Sequence, residues 1–392
     1  MTTAIGERLR DVRKRRGMSQ RELAEQSGVS LSLIRKLEQG KRSDTRLETA
    51  HRLAAALRVP TTGLLTSSPE EGADASTVDL WEPVRRALVA PVGAGNDLEE
   101  PTYAGVSQSL RNAMPLFSGD RFAELGAILP ALLRDSEVVA EHGPEGQAVR
   151  ARLLNLTGWL LTQTRQFDAA ELALERALDS AVDRLQGAAT INTMCWLLLR
   201  RGQLTQSREL ATKWAEELEP RFSKATSDEL SAWGWLLLRV STASARDNRP
   251  GEAAASMRLA KAAAAGVGRE FRLREDFLRT FGPGTVALKS AENSIITGDP
   301  NPVLRLAAEA PVTSIKTTSS NLNRHRLDLA SAYTQTRCYG DAVGVLQEIA
   351  HSSPQWLPNQ RYARDILGEI VNKRRTLTPE MRSLADVVGL PL

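Results

Sequence analysis

Cysteine is almost missing: Cys195 and Cys338 are the two in a chain of 392 residues. That is too few for a disulfide framework or a cysteine-ligated zinc site, so a reducing compartment is expected. Histidine is also scarce. His51, His142, His325 and His351 are scattered, and none falls in an HExxH or other metal pair. No apolar run approaches the ~18 residues of a membrane span, and Met1 to Glu7 lack the apolar stretch of a signal peptide, which makes the cytoplasm the expected location. Alternating strand patterns with Asn-Gly turns are missing, which argues against a sizeable sheet. There is no Walker loop, and Gly93-Ala94-Gly95 follows no strand pattern and lacks a third glycine. No nucleophile, base and orienting group can be assembled from neighbouring motif residues. Neither an enzyme nor a cofactor nor a metal centre is expected.

What is present is ordinary for a globular chain: 42% hydrophobic and 25% charged residues, with length for two or three domains. The charge is unevenly placed. Residues 1–66 carry 14 Lys and Arg against 7 Asp and Glu, a local charge of +7, while the remainder carries 37 against 40, or −3. A basic module on a mildly acidic body suggests a polyanion at one end only, although a run such as Arg13-Lys14-Arg15-Arg16 is equally compatible with a solvated helix face.

The periodicity predicts a helix over 4–16 with Ile5, Leu9 and Val12 on one face, stopped by Gly17. Ser19 should cap a second helix, with Glu22 completing a capping box, and Gly28 allows the turn that follows. Ser30 should cap a third helix, Leu31 to Gln39, burying Ile34 and Leu37. A fourth is expected from about Thr45 to Leu57. The polar stretch 66–77 is read as a linker and 90–101 as a loop. The division is therefore 1–66, a linker and connecting helix over 67–100, and a helical body over 101–392.

The body repeats. Trp159-Leu160-Leu161 recurs as Trp196-Leu197-Leu198 and Trp235-Leu236-Leu237, the first two copies 37 residues apart with Asn155 and Asn192 four positions earlier. Helix pairs of this length cannot bury their apolar faces alone and should stack into a superhelix. Cys195 sits in an apolar run and is expected to be a buried structural thiol.

From Ser19 to Lys41 the chain reads SQRELAEQSGVSLSLIRKLEQGK. This segment resembles the Cro/cI-like (XRE-type) helix-turn-helix family, on Gln20, Glu22-Leu23-Ala24, Gly28-Val29-Ser30, Ile34, Glu38 and Gly40. The resemblance implies double-stranded DNA as a partner, with the third helix in the major groove. Ile34 and Leu37 belong to the core, so Leu31, Ser32, Arg35 and Lys36 face outward. Arg35 suits a bidentate contact to guanine, Ser32 a base or phosphate, and Leu31 a thymine methyl. The resemblance makes Gln20 a phosphate anchor at the positive end of the second helix. Lys41 and Arg42 would add phosphate contacts, and Arg21 and Ser30 complete the expected DNA-facing set.

The body resembles tetratricopeptide (TPR) repeats more loosely. Aligning Phe167 and Tyr339 on the mid-repeat aromatic puts Gly158 and Ala330 on the small position of the first helix and Ala170 and Ala342 on that of the second. The third repeat departs by seven extra residues between Trp235 and Pro250. The combination is similar in organisation to the peptide-responsive regulators of the PlcR, Rgg and PrgX kind. That resemblance implies a sensor groove for a peptide or small signalling molecule. Asn155, Asn192, Trp159 and Trp196 are the groove candidates, with Arg152, Gln163 and Arg200 on the same stripe. Tryptophan at this spacing equally suits interhelical core. The expectation is an all-α, homodimeric, nucleoid-associated regulator of a palindromic operator. A protein-interaction scaffold localised on DNA and a constitutive dimeric repressor are the alternatives.

Overall fold

The computed structural model describes residues 5–42, 45, 47–59, 64, 79–90, 100–272, 277–309, 319–374 and 376–391. Four helices come first: α1 (Ile5–Arg15), α2 (Gln20–Ser27), α3 (Leu31–Glu38) and α4 (Leu47–Leu57). Their amphipathic faces close on a small core of Ile5, Leu9, Leu23, Val29, Ile34, Leu37, Leu53 and Leu57. Gly6 is where α1 crosses α3: a Cβ there would stand 1.8 Å from the Leu37 carbonyl oxygen. The expected linker 66–77 lies outside the described residues, as does most of the expected loop 90–101.

A connecting helix, α5 (Glu82–Val89), packs on the body. Trp81 leaves no room for a Cβ at Gly126, and Arg85 Nη1 donates to Gln166 Oε1 at 2.7 Å. Six helical hairpins follow: α6 (Tyr103–Ser118) with α7 (Phe122–Ala140), α8 (Pro144–Gln163) with α9 (Phe167–Asp179), α10 (Arg184–Arg201) with α11 (Leu204–Glu217), α12 (Ser227–Arg246) with α13 (Pro250–Val267), α14 (Pro283–Ile296) with α15 (Asn301–Glu309), and α16 (Ser319–Gln335) with α17 (Tyr339–Ser352). A short 3-10 turn (Leu357–Asn359) and helices α18 (Arg361–Lys373) and α19 (Pro379–Val388) finish the chain. Among the described residues β structure is confined to one antiparallel pair, β1 (Phe271–Arg272) on β2 (Thr280–Phe281). No described helix is long and apolar enough to cross a membrane.

All six hairpins turn in the same way. One residue adopts left-handed φ: Asp120, Arg165, Gly202, Asn248, Gly298 and Arg337 in turn. The next residue's amide then reaches back to the carbonyl five positions earlier, as in Arg121 to Leu116 and Gln203 to Leu198, both at 2.9 Å. Two of the six use glycine, which takes this conformation without penalty, and Asn248 is the next most tolerant type. Trp159 and Trp196 each stand six residues before their turn. Trp235 stands two helical turns further back from Asn248 and so keeps the same face.

The first helices of the hairpins, α8, α10, α12 and α16, are buried on nearly every side, whereas α9, α11, α13 and α17 bury one stripe. The former are enclosed by neighbouring helices, and the latter leave the rest of their surface to solvent. Small residues permit the close contact within a pair: a Cβ at Gly158 would lie 2.5 Å from Leu174 Cγ, and Ala170, Ala330 and Ala342 are fully buried. Cys195 is buried, which pushes its thiol up to about 12.

The hairpin series closes on itself. The Asp120 carboxylate, in the first turn, accepts from Ser319 Oγ (3.2 Å), Asn323 Nδ2 (3.2 Å) and Ser353 Oγ (2.9 Å) of the last hairpin. Ala123 N donates to Gln355 Oε1 at 2.7 Å beside it. Apolar residues from both ends, among them Phe117, Phe122, Leu346 and Ile366, share one core.

Candidate nucleic-acid interface

The local sequence builds α2 and α3 from their caps. Ser19 Oγ accepts from Glu22 N at 3.1 Å while Glu22 Oε2 accepts from Ser19 N at 2.7 Å, closing the capping box. Gly28 ends α2 in the left-handed region at φ 65°. Ser30 Oγ accepts from Leu33 N at 3.3 Å, and Gly40 follows α3 at φ 68°. Each of these signals was legible in the sequence.

One buried carboxylate ties the module together. Glu38 Oε1 accepts from Arg13 Nε at 2.6 Å, and Oε2 accepts from Arg13 Nη2 and Gln20 Nε2, both at 2.7 Å. Arg13 Nη1 also donates to the Met18 carbonyl at 2.7 Å. Burial alone would raise the Glu38 pKa, but the bonds from Arg13 and Gln20 outweigh it and hold the carboxyl below its ordinary range. The set joins α1, α2 and α3 and fixes the angle between the last two. In the sequence Arg13 is one member of a basic run, and no periodic signal separates it from its exposed neighbours Lys14 and Arg16.

With Ile34 and Leu37 fully buried, α3 turns Ser32, Arg35 and Lys36 to solvent and leaves Leu31 half-buried. Lys41 and Arg42 are exposed beyond its C-terminus, where Arg42 N donates to the Lys36 carbonyl at 3.2 Å. Arg21 is exposed on α2. Ser30 is exposed with its hydroxyl engaged in the cap, and Gln20 is half-buried with its amide nitrogen on Glu38. Seven of the nine expected DNA-facing residues are thus exposed, Gln20 and Leu31 are half-buried, and the polar groups of Gln20 and Ser30 serve the framework.

The groove candidates are distributed differently. Trp159 is 1% exposed and packs edge-on to Phe117 and Phe122 at 4.6 and 5.7 Å between ring centroids. Asn155, Gln163 and Asn192 are buried, and Arg152 is half-buried. Gln360 Nε2 donates to Gln163 Oε1 at 3.4 Å, and Arg239 Nε to Asn192 Oδ1 at 2.7 Å. Trp196, partly buried, stacks on Trp159 at 6.4 Å. Arg200 lies over the Trp196 ring and donates to Gln360 Oε1 at 3.0 Å and Asn359 O at 3.1 Å. The structure brings Asn192, Trp159, Trp196 and Arg200 together. It adds Arg239 and Arg279, which nothing in the sequence pattern distinguished.

The helix-turn-helix rests on the body through α4. His51 Nδ1 lies 2.9 Å from the Arg246 carbonyl, and Asn248 Nδ2 donates to Val59 O at 3.4 Å. Beside this contact a cleft of about 510 Å³ is lined by Gln26, Arg52 and Arg58 on one side and Thr297 and Gln335 on the other.

Comparison with known proteins concerns this N-terminal part. Residues 9–64 match the family described as Helix-turn-helix. The chain is 38% identical over 78 residues to the uncharacterized HTH-type transcriptional regulator RghRB of Bacillus subtilis (strain 168), covering 18% of this chain and 56% of that protein. It is 40% identical over 62 residues to the HTH-type transcriptional repressor RghR of the same organism, 16% of this chain and 46% of that protein. The chain thus spans about half the length of the curated relatives it matches. No solved structure matches the chain. Over its N-terminal residues the chain is thus similar to helix-turn-helix domains.

Proposed function

We propose that this protein is a sequence-specific DNA-binding transcriptional regulator. The observation that carries the reading is the exposure of Ser32, Arg35 and Lys36 on a recognition helix held by its caps and the buried Glu38, with Lys41 and Arg42 exposed just past it. The N-terminal residues of α3 meet base edges in the major groove, and the residues past its C-terminus meet phosphates. Both curated relatives are named as transcriptional regulators, one of them a repressor.

The hairpin body is read as a TPR-like superhelix that dimerises and senses a peptide or small signalling ligand. Its support is six hairpins with one turn geometry and small residues at their close contacts. A dimer suits the reading because one short recognition helix covers too few base pairs for specificity, and two-fold symmetry then implies a palindromic operator in the nucleoid. The division into 1–66, 67–100 and 101–392 belongs to the same reading.

Genome-wide immunoprecipitation of the intact protein, with Arg35→Ala as control, tests it. A palindromic motif in the wild type that is lost in the variant is expected. Diffuse enrichment that is identical in both would instead favour a scaffold whose repeats carry the function.

A further inference from the structure

Among the described residues, two buried arginines of the hairpin body have no carboxylate within ion-pair distance. Arg239, on α12, and Arg279, just before β2, are 4% and 6% exposed. Their guanidinium carbons lie 5.3 and 5.5 Å from the same Trp235 ring centroid, and Arg279 also lies 5.3 Å from that of Trp196. Arg239 Nε donates to Asn192, at 3.1 Å to its carbonyl and 2.7 Å to Oδ1, but Arg239 Nη2 is buried without a hydrogen-bond partner. Arg279 Nη1 donates to Asn321 Oδ1 at 3.2 Å. Each partner is a neutral amide.

Of the nearby carboxylates, Glu292 is shared among other cations, and Asp328 has neither oxygen hydrogen-bonded. Glu292 is shared by Lys289 at 2.7 Å, Arg246 at 2.5 Å and Arg324 at 3.6 Å, and Asp328 faces Arg324 at 3.4 Å. Two acids thus serve three other cations. Burial pulls Arg239 down to about 10 and Arg279 well below the guanidinium range; the repulsion of Arg239 adds to the effect on Arg279, and the more distant Glu292 offsets part of it at both. His325, one helical turn from Asn321 on the same face of α16, is 1% exposed with neither ring nitrogen partnered.

A buried cation without a counter-charge is destabilising, and two beside one indole more so. The arrangement becomes favourable when an anion supplies the missing charge. We propose that Arg239 and Arg279 form a buried receptor site for an oxyanion, the carboxylate or phosphate of a small ligand enclosed by the hairpin ring. The planar guanidinium presents paired N–H donors that fit either group, and stacking on Trp196 and Trp235 fixes the plane in which they point. His325 offers two further ring nitrogens on the α16 side. The site goes beyond the DNA-binding reading and stands without it. Where both hold, the geometry also gives a route for regulation. Arg239 and Arg246 are seven residues apart on one face of α12, about 10 Å along the helix, and the Arg246 carbonyl is the seat of His51 in α4.

Calorimetric melting of the full chain in chloride, with sodium phosphate or sodium succinate added at constant ionic strength, tests the site. A saturable rise in Tm of about 3 °C or more is expected from one of the two salts, phosphate identifying a phosphate-bearing ligand and succinate a carboxylate. Arg279→Met should abolish the rise while melting in chloride no lower than the wild type, because it removes an uncompensated buried cation. Arg239→Gln, which can keep its amide bond to Asn192, should also lose the rise. Arg42→Ala should retain it, which separates this site from anions gathered on the DNA-facing residues. The proposal is overturned if neither salt exceeds chloride, if Arg279→Met melts well below the wild type in chloride, or if Arg239→Gln responds as the wild type does. DNA affinity measured with and without the effective salt tests the regulatory route separately.

Discussion

Arg13 and Glu38 lie 25 residues apart in the chain and meet as a two-pronged ion pair at 2.6 and 2.7 Å, largely out of water. Replacing Glu38 by glutamine leaves the guanidinium buried without its counter-charge. Breaking such a pair costs about 3 kcal/mol. Amide exchange in α1 to α3 of Glu38→Gln should accelerate to match, while the hairpin body exchanges as before. Unchanged protection in α1 to α3 would show that the pair contributes nothing to the module.

Gly6 gives a steric test of the same module. An alanine Cβ at 1.8 Å from the Leu37 carbonyl oxygen cannot be absorbed by a rotamer change, because backbone lies on both sides. Gly6→Ala should push α1 off α3 and lower the domain's stability by about 1–3 kcal/mol. DNA binding should weaken in parallel, with the motif unchanged. Wild-type melting of residues 5–59 in the variant, followed by amide exchange, would contradict the close approach.

Arg35 and Arg42 should fail differently. Arg35→Ala is expected to reduce discrimination at one base pair by about 1–3 kcal/mol and to broaden the motif there. Arg42→Ala should weaken all sequences alike and lower the salt dependence of log affinity by about one phosphate contact. Equal, sequence-independent losses would remove Arg35 from the base-reading role.

Asp120 links stability to pH. Burial raises its carboxyl to about 6, against the opposing hydrogen bonds from Ser353, Ser319 and Asn323. The folded state therefore holds this proton more tightly than the unfolded chain. Stability contributed by the protonated group is complete below about pH 4, declines as the pH rises to about 6, and is absent above. The shift corresponds to about 2–3 kcal/mol. Asp120→Asn suits the left-handed φ of 52°, can still accept from Asn323 and Ser353, and turns its amide to Ser319. It should flatten the melting profile between pH 4 and 6 and melt higher at pH 7.5. An unaltered profile would mean the carboxyl titrates normally.

The local grammar of the DNA-facing module was legible because each device is short-range. Ser19 with Glu22, Gly28, Ser30 and Gly40 all act within a few residues, and each sits where the pattern put it. The helical character of the body and the recurrence of its tryptophans were legible for the same reason. What the sequence hid is long-range. Arg13 reads as one member of a basic run until Glu38 is folded against it. Arg239, Arg279 and Asn321 come from elements far apart, and no spacing marks them as neighbours. The turns of the six hairpins are also poorly written, since Arg165 and Arg337 occupy left-handed positions that a sequence reader assigns to glycine. Trp159 carried two readings, core and groove, that only its packing against Phe117 and Phe122 could distinguish.

The contact of Asp120 with Ser353 also sets an arithmetic limit on the molecule. An open solenoid tolerates the gain or loss of a unit, because its last repeat faces solvent wherever it falls. Here the first turn must meet the end of the sixth hairpin within hydrogen-bonding distance, so deleting or duplicating one hairpin would carry Ser353 past Asp120 and strand a buried carboxylate. The copy number is fixed by closure, which leaves helix lengths and the loops between pairs as the parts of this chain free to change.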